Sequence, residues 1–244
     1  MPDLKFLPSV SAAVAALVAT HVSAGEIESA SAVPDKPAFD IQSASIERED
    51  NTLRFRIEVS ANAGEEQPEA IGTLAGSEVY SYVWPTSLDP SVIGFGTGTG
   101  LLAFAVTSHP DFDDTPLFDE DGDGDATNDG RIWHSHWVVL TETDECGPSG
   151  LKVRDIEKGE DVRVPKTWPK LPLMIDSPGW HPNFTANSVE VTVPFEPWAD
   201  LVDVAFDGVT SALRVNVNAH VPLLCVNAVF DVASGDLSLP GRTH

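Results

Sequence analysis

Basic residues are scarce in this chain of 244 residues: 14 lysines and arginines stand against 38 aspartates and glutamates, for a formal charge of −24. A surface of this kind repels nucleic acid and anionic lipid, and it attracts cations. The composition therefore excludes nucleic acid as a partner and favours divalent cations. An adaptation of the surface to solubility explains the bulk charge equally well.

Long hydrophobic runs are also missing, with one short exception near the N-terminus. Residues 10–18 are mostly apolar, and the small residues Val22, Ser23 and Ala24 follow them. Such a run is too short to span a bilayer and, followed by a small-residue cleavage site, is typical of a secretory signal. We predict a signal peptide over residues 1–24, a secreted or periplasmic location and no membrane span. A disordered N-terminal tail is the alternative.

Cysteine is nearly absent, since the chain has only Cys146 and Cys225. In an oxidising compartment two cysteines most simply form one disulfide. We therefore predict a Cys146–Cys225 bond, with a free thiol or a metal ligand as the alternative.

Helical patterns are missing as well, because no long stretch has apolar residues at a period of 3.6 with helix caps. Instead, 19 prolines and 18 glycines separate short segments in which apolar and polar residues alternate or apolar residues run together: 53–59, 101–106, 189–193, 213–217 and 223–232. Such segments are typical of strands, and frequent turns between them indicate a sandwich or barrel. We predict an all-β fold, a two-sheet antiparallel β-sandwich with long irregular loops, as a single domain over residues 40–244. Residues 25–39 are expected to be a flexible leader.

Three segments also carry a resemblance to a known group of domains. Residues 39–59 (FDIQSASIEREDNTLRFRIEV), 188–198 (SVEVTVPFEPW) and 204–218 (VAFDGVTSALRVNVN) resemble the opening and closing strands of DOMON-like and carbohydrate-binding-module sandwiches. The likeness is one of pattern and extends over about half of the mature chain. It implies a two-sheet sandwich that holds a sugar, a haem or a metal, and it does not say which.

The motif most specific to chemistry is His134-Ser135-His136, within the strand-like residues 131–140. On a strand, His134 and His136 project to one side about 7 Å apart, while Ser135 projects to the other. Two such imidazoles can bind one copper or zinc ion. Further ligands are expected among the remaining histidines, principally His109 and His220, with His181 as a third candidate. The alternative is a pair of structural histidines.

An acidic segment precedes this motif. Asp119, Asp121, Asp123 and Gly124 match the first half of the EF-hand template, whereas Gly130 occupies the twelfth position, where the template has a glutamate. We therefore do not expect a standard EF-hand, but a calcium loop is not excluded. Its predicted ligands are Asp119, Asp121, Asp123, Asp125 and Asp129. A solvated loop that gathers no ion is the alternative.

Two further ligands are suggested by the sequence, a sugar and a haem. A possible sugar-stacking platform comprises Tyr80, Tyr82, Trp84, Trp168 and Trp180, although aromatic stripes more often fill a core. Met174, the only methionine outside the N-terminal segment, is a candidate axial ligand for haem together with a histidine.

Familiar catalytic motifs are absent, including G-x-S-x-G, H-E-x-x-H and a glycine-rich nucleotide loop before a helix. We therefore predict an exported, non-catalytic protein with a copper or zinc site and a calcium loop. A carbohydrate or a periplasmic protein is a possible additional partner. The alternatives are a sugar- or haem-binding module and a metalloenzyme that uses the same histidines.

Overall fold

The computed structural model describes residues 25–29, 32–71, 74–110, 118–119, 122–125, 132–216 and 222–243, so the predicted signal peptide lies outside it. These residues contain two short 3-10 turns, Pro90–Val92 and Gly147–Ser149, and fourteen strands. The strands are β1 Glu26–Glu28, β2 Ile41–Glu49, β3 Thr52–Val59, β4 Glu78–Pro85, β5 Leu101–Ser108, β6 His134–Glu142, β7 Leu151–Val153, β8 Ile175–Asp176, β9 Asn183–Phe184, β10 Ser188–Pro194, β11 Ala205–Phe206, β12 Val209–Val215, β13 Leu224–Val232 and β14 Gly241–Arg242. No helix in this part of the chain is long and apolar enough to cross a membrane.

The larger sheet closes into a six-stranded antiparallel barrel. Strands β5, β4, β12, β13, β7 and β6 are hydrogen-bonded in that order, and β6 also pairs with β5 along its length. On its other edge β6 pairs first with β8 and then with β7. Both edges of β6 are therefore paired, which fixes its register and the direction of its side chains.

A five-stranded antiparallel sheet, in the order β1-β2-β3-β10-β9, packs against one side of the barrel. The contact is an aromatic core in which the Phe55 ring of β3 lies 4.7 Å from Phe104 and 5.8 Å from both Trp84 and Trp137. Strands β4, β5 and β6 are consequently buried on both faces. Their alternate residues, including Val83, Ala105 and Val138, form a second apolar cluster inside the barrel.

The prediction of an all-β antiparallel fold is confirmed, whereas the two-sheet sandwich describes only part of it. The larger sheet closes on itself instead of staying open. Alternation along a strand reports which faces are buried and says nothing about which edges pair, so a sandwich and a barrel produce the same sequence pattern.

The flexible leader is a wrong prediction for the described part of residues 25–39. Glu26–Glu28 forms β1 and pairs with β2, and Ile27 is buried. Phe39 is fully buried, stacked 5.5 Å from Tyr82. The polar, proline-containing composition of residues 25–39 gave no indication that Ile27 and Phe39 would be buried.

The predicted disulfide is confirmed, because Cys146 and Cys225 are joined with their Cα atoms 5.3 Å apart. The bond ties the turn after β6 to β13, across 79 residues of sequence. Closing a loop of that length contributes about 4 kcal/mol to stability in the chain-entropy treatment.

Candidate metal centre

Three buried histidines meet inside the barrel where β5 ends and β6 begins. His134 and His136 alternate on β6 and share a face, and His109 follows directly after the last residue of β5. Because β5 and β6 are antiparallel, with Thr107 opposite His134, the end of one strand lies beside the start of the other. All three side chains are at least 93% buried.

The three imidazoles are close enough to bind one ion. One nitrogen from each lies within 4.8 Å of the other two, and this is the only group of this kind among the described residues. The Nε2 atoms of His109 and His134 are 2.9 Å apart. The ring of His136 lies 4.7 Å from that of His134 and 6.4 Å from that of His109.

The Nδ1 atoms of the three histidines make hydrogen-bond contacts with groups outside the cluster. His134 Nδ1 donates to the carbonyl of Ile132 at 2.7 Å, and His109 Nδ1 donates to the carbonyl of Pro110 at 2.8 Å. His136 Nδ1 lies 3.1 Å from the hydroxyl of Ser177. Contacts of this kind orient metal-binding histidines and fix which nitrogen carries the proton.

These contacts imply that the Nε2 lone pairs of His109 and His134 point towards each other. A carbonyl oxygen can only accept, so Nδ1 must be protonated in both His109 and His134. The Nε2 atom of each neutral ring is then an acceptor, and two acceptors 2.9 Å apart repel each other unless a cation lies between them. That cation is either a metal ion or an additional proton.

A buried carboxyl group lies near the cluster, on β8. Asp176 is 4% exposed and accepts a hydrogen bond from the Thr167 hydroxyl at 2.7 Å. Burial raises the pKa of its carboxyl, while the Thr167 hydrogen bond and the nearby His136 ring partly offset that rise. Neither Asp176 nor Ser177 was predicted from the sequence, because they belong to a proline-rich segment without a motif.

The histidine predictions have three different outcomes. The structure brings His109 together with His134 and His136, and it places Ser135 on the opposite face, where its hydroxyl donates to the carbonyl of Trp180. His220 lies outside the described residues. His181 is exposed and does not belong to the cluster.

The calcium ligands are only partly described, since Asp121 and Asp129 lie outside the described residues. The carboxylate of Asp119 accepts backbone hydrogen bonds from Gly122, Asp123 and Gly124, at 2.6, 3.2 and 2.7 Å. Asp123 in turn accepts from the backbone N–H of Asp125 at 2.8 Å. Calcium binding by this loop stays a prediction.

The aromatic platform is wrong for Tyr82 and Trp84, which are fully buried between the barrel and the five-stranded sheet. Tyr82 donates to the carbonyl of Ala38, and Trp84 donates to that of Arg56. Tyr80, Trp168 and Trp180 are half-buried. A shared stacking surface that includes the two buried rings is therefore excluded.

The axial haem ligand proposed for Met174 is also wrong in its pairing with these histidines. Met174 is fully buried in the aromatic core outside the barrel, whereas its neighbour Ile175 faces the barrel interior. The Met174 side chain and the histidine cluster thus lie on opposite faces of the barrel wall.

Comparisons with protein-family models, curated proteins and solved structures found no match for the chain. The resemblance to DOMON-like sandwiches therefore stays a prediction. The geometry of the histidine cluster is the main guide to function.

Proposed function

We propose that this protein is an exported, non-catalytic metal-binding protein that holds one zinc or copper ion through His109, His134 and His136. The observation that carries the proposal is the 2.9 Å approach of two Nε2 acceptors. A metal ion between them converts a repulsive contact into two coordinate bonds. Neutral imidazole suits both zinc and copper.

The separations between ligands are compatible with such an ion. With zinc–nitrogen bonds of about 2.0–2.1 Å, tetrahedral ligand atoms lie about 3.3 Å apart. The three nitrogens already lie within 4.8 Å of one another in a paired, buried part of the barrel. We expect side-chain rotations to bring the three nitrogens to these distances, while the hydrogen bonds at Nδ1 orient the rings.

Metal analysis separates this proposal from a proton shared by two histidines. We expect protein exported natively and then dialysed to take up one equivalent of zinc or copper, and His134→Gln to abolish that uptake. Glutamine keeps most of the volume of the side chain but offers no ring nitrogen. Uptake that is absent in the wild type, or equal in the wild type and His134→Gln, contradicts the proposed metal site.

Export is the second part of the proposal, and the disulfide supports it, because such bonds persist in oxidising compartments. We expect the exported protein to lack residues 1–24 and to gain two mass units on reduction. An intact-mass measurement tests both statements. Retention of residues 1–24 contradicts cleavage at the predicted site.

A metalloenzyme is the second candidate, and one observation favours it. His109 and His136 line a cavity inside the barrel, so the fourth position of a three-histidine ion opens towards space for a ligand. Zinc sites with three protein ligands and an open position activate water in hydrolytic enzymes. Turnover of an activated ester by the zinc-loaded wild type, lost in His136→Ala, would support this candidate over the non-catalytic one.

A further inference from the structure

The barrel interior contains a cavity of about 140 Å³ beside the histidine cluster. Its lining is made of valine, leucine, isoleucine, alanine and proline, apart from five polar residues: Ser81, Thr107, His109, His136 and Ser211. Every other residue that lines the cavity is apolar. The cavity therefore combines a polar region with a larger apolar one.

The polar residues are neighbours across the barrel wall. Ser211 pairs with Ser81, Ser81 pairs with Thr107, and Thr107 pairs with His134, so one row of polar side chains crosses four adjacent strands. Within the row, the hydroxyls of Ser81 and Ser211 lie 2.8 Å apart. Thr107 Oγ1 lies 3.4 Å from His134 Nε2. A ligand in the cavity would thus meet polar groups at the histidines and hydrocarbon elsewhere.

The cavity has the size and the access that a small organic molecule needs. An engineered apolar cavity of about 150 Å³ in another protein takes up benzene, a ring of six carbons. Some lining residues are also among the exposed hydrophobic residues of the surface: Leu74, Leu101, Val229 and Leu237. The cavity wall therefore continues to solvent.

The charges at the cavity indicate the chemistry of the ligand's polar end. Among the described residues that line the cavity, none is an aspartate, glutamate, lysine or arginine. A divalent ion held by three neutral imidazoles would bring two positive charges to this apolar space, and the nearby carboxyl group of Asp176 is not among the residues that line it. Charge that is not compensated inside such a space is costly. An anionic donor in the fourth position removes part of that cost, which a neutral donor cannot do.

Resting on the proposed metal site, we infer that the barrel binds a small carboxylic acid with a hydrocarbon chain. The carboxylate occupies the fourth position of the metal ion, and the chain fills the cavity to a length of about six carbons. The row of hydroxyls formed by Ser81, Thr107 and Ser211 faces the carboxylate end. Binding leaves the acid chemically unchanged.

Cobalt substitution provides a direct test, because the visible spectrum of a cobalt ion changes when a carboxylate enters its coordination sphere. The cobalt-loaded full-length protein is titrated with the linear acids from acetate to octanoate. Each buried methylene adds about 0.8 kcal/mol, or about fourfold in affinity, so hexanoate should bind about 200 times more tightly than acetate. The gain should level off beyond about six carbons, where the cavity is full.

A pair of matched substitutions locates the chain in the cavity. Val83 lines the cavity between Ala105 and Val209, so Val83→Phe places a ring inside it. Val202 is 59% exposed, so Val202→Phe adds the same ring to the surface. We expect Val83→Phe to lower hexanoate affinity to that of acetate while cobalt stoichiometry stays at one, and Val202→Phe to match the wild type.

The outcomes separate the inference from the function on which it rests. One equivalent of cobalt together with equal affinity for acetate and hexanoate overturns the inference and leaves the metal site in place. Failure to bind cobalt, zinc or copper overturns both. If Val83→Phe does not fold, the chain-length series on the wild type alone decides the matter.

Discussion

Replacement of His136 by alanine is expected to remove most of the metal affinity. His136 is 1% exposed, lies on a strand paired at both edges, and is held at Nδ1 by Ser177. Removal of a group that hydrogen-bonds to a metal ligand typically lowers metal affinity about 10- to 100-fold. Removal of the ligand itself should therefore lower the affinity by more than about 100-fold. Ser135→Ala is the matched control, because the Ser135 side chain faces away from the cluster.

The same change has a predictable thermal consequence. At a free metal concentration about 1,000 times the dissociation constant, binding stabilises the native state by about 4 kcal/mol, and a 100-fold loss of affinity reduces this to about 1.4 kcal/mol. In a domain of this size 1 kcal/mol shifts the melting temperature by about 2–4 °C. The rise caused by metal should therefore fall from about 8–16 °C to about 3–6 °C.

Scanning fluorimetry with and without zinc, and separately copper, measures this rise for His136→Ala, Ser135→Ala and His181→Ala. Because His181 is exposed and outside the cluster, His181→Ala should behave as the wild type does. Each variant is compared with its own metal-free melt, so a general loss of stability does not enter the difference. An undiminished rise in His136→Ala, with or without a loss in His181→Ala, refutes the assigned site.

Three further predictions concern residues away from the cluster. Burial raises the pKa of Asp207, so the native state holds this proton to higher pH than the unfolded state does, and stability falls as pH rises through the raised value. The stability of Asp207→Asn relative to the wild type should therefore increase as pH rises above about 4, the ordinary pKa of an aspartate, in urea unfolding; a flat or falling difference contradicts the assignment. Cys146→Ala combined with Cys225→Ala should lose about 4 kcal/mol in the same assay, and a loss well below 1 kcal/mol would show that the bond adds no constraint. If the acidic loop binds calcium, calcium should raise the melting temperature and Asp119→Asn should remove that rise; a melt indifferent to both calcium and chelator leaves the solvated loop as the explanation.

Much of the strand structure follows from the sequence because burial of one face leaves a period of two. The alternation in residues 53–59 predicts β3, and that in 189–193 predicts β10. The continuously apolar segment 101–106 corresponds to β5, which is buried on both faces. Closure of the barrel was not predictable in this way, because it depends on the pairing of β4 with β12 and of β7 with β13, strands that lie far apart in the sequence.

The histidine centre was predictable only in part. The spacing of His134 and His136 fixes their common face, and a strand carries that information locally. His109 was one of several candidates, since only the pairing of Thr107 with His134 brings it to the pair. Ser177, which contacts His136, directly follows β8, and the pairing of β8 with β6 involves only two residues that no sequence motif indicates.

The register of β6 links the aromatic core to the proposed metal site. A slip of one residue along β5 would turn His134 and His136 out of the barrel and bring Ser135 and Trp137 into it. Trp137 opposes this slip, because it is fully buried on the outer face with Phe104 at 4.9 Å and Phe55 at 5.8 Å. The five-stranded sheet thus stabilises the inward direction of the histidines from the other side of the wall. The hydrophobic energy that sets the register is therefore supplied outside the barrel, which explains how a cluster of polar side chains is tolerated inside it. A metal ion at the proposed site would remove the repulsion between the Nε2 atoms of His109 and His134.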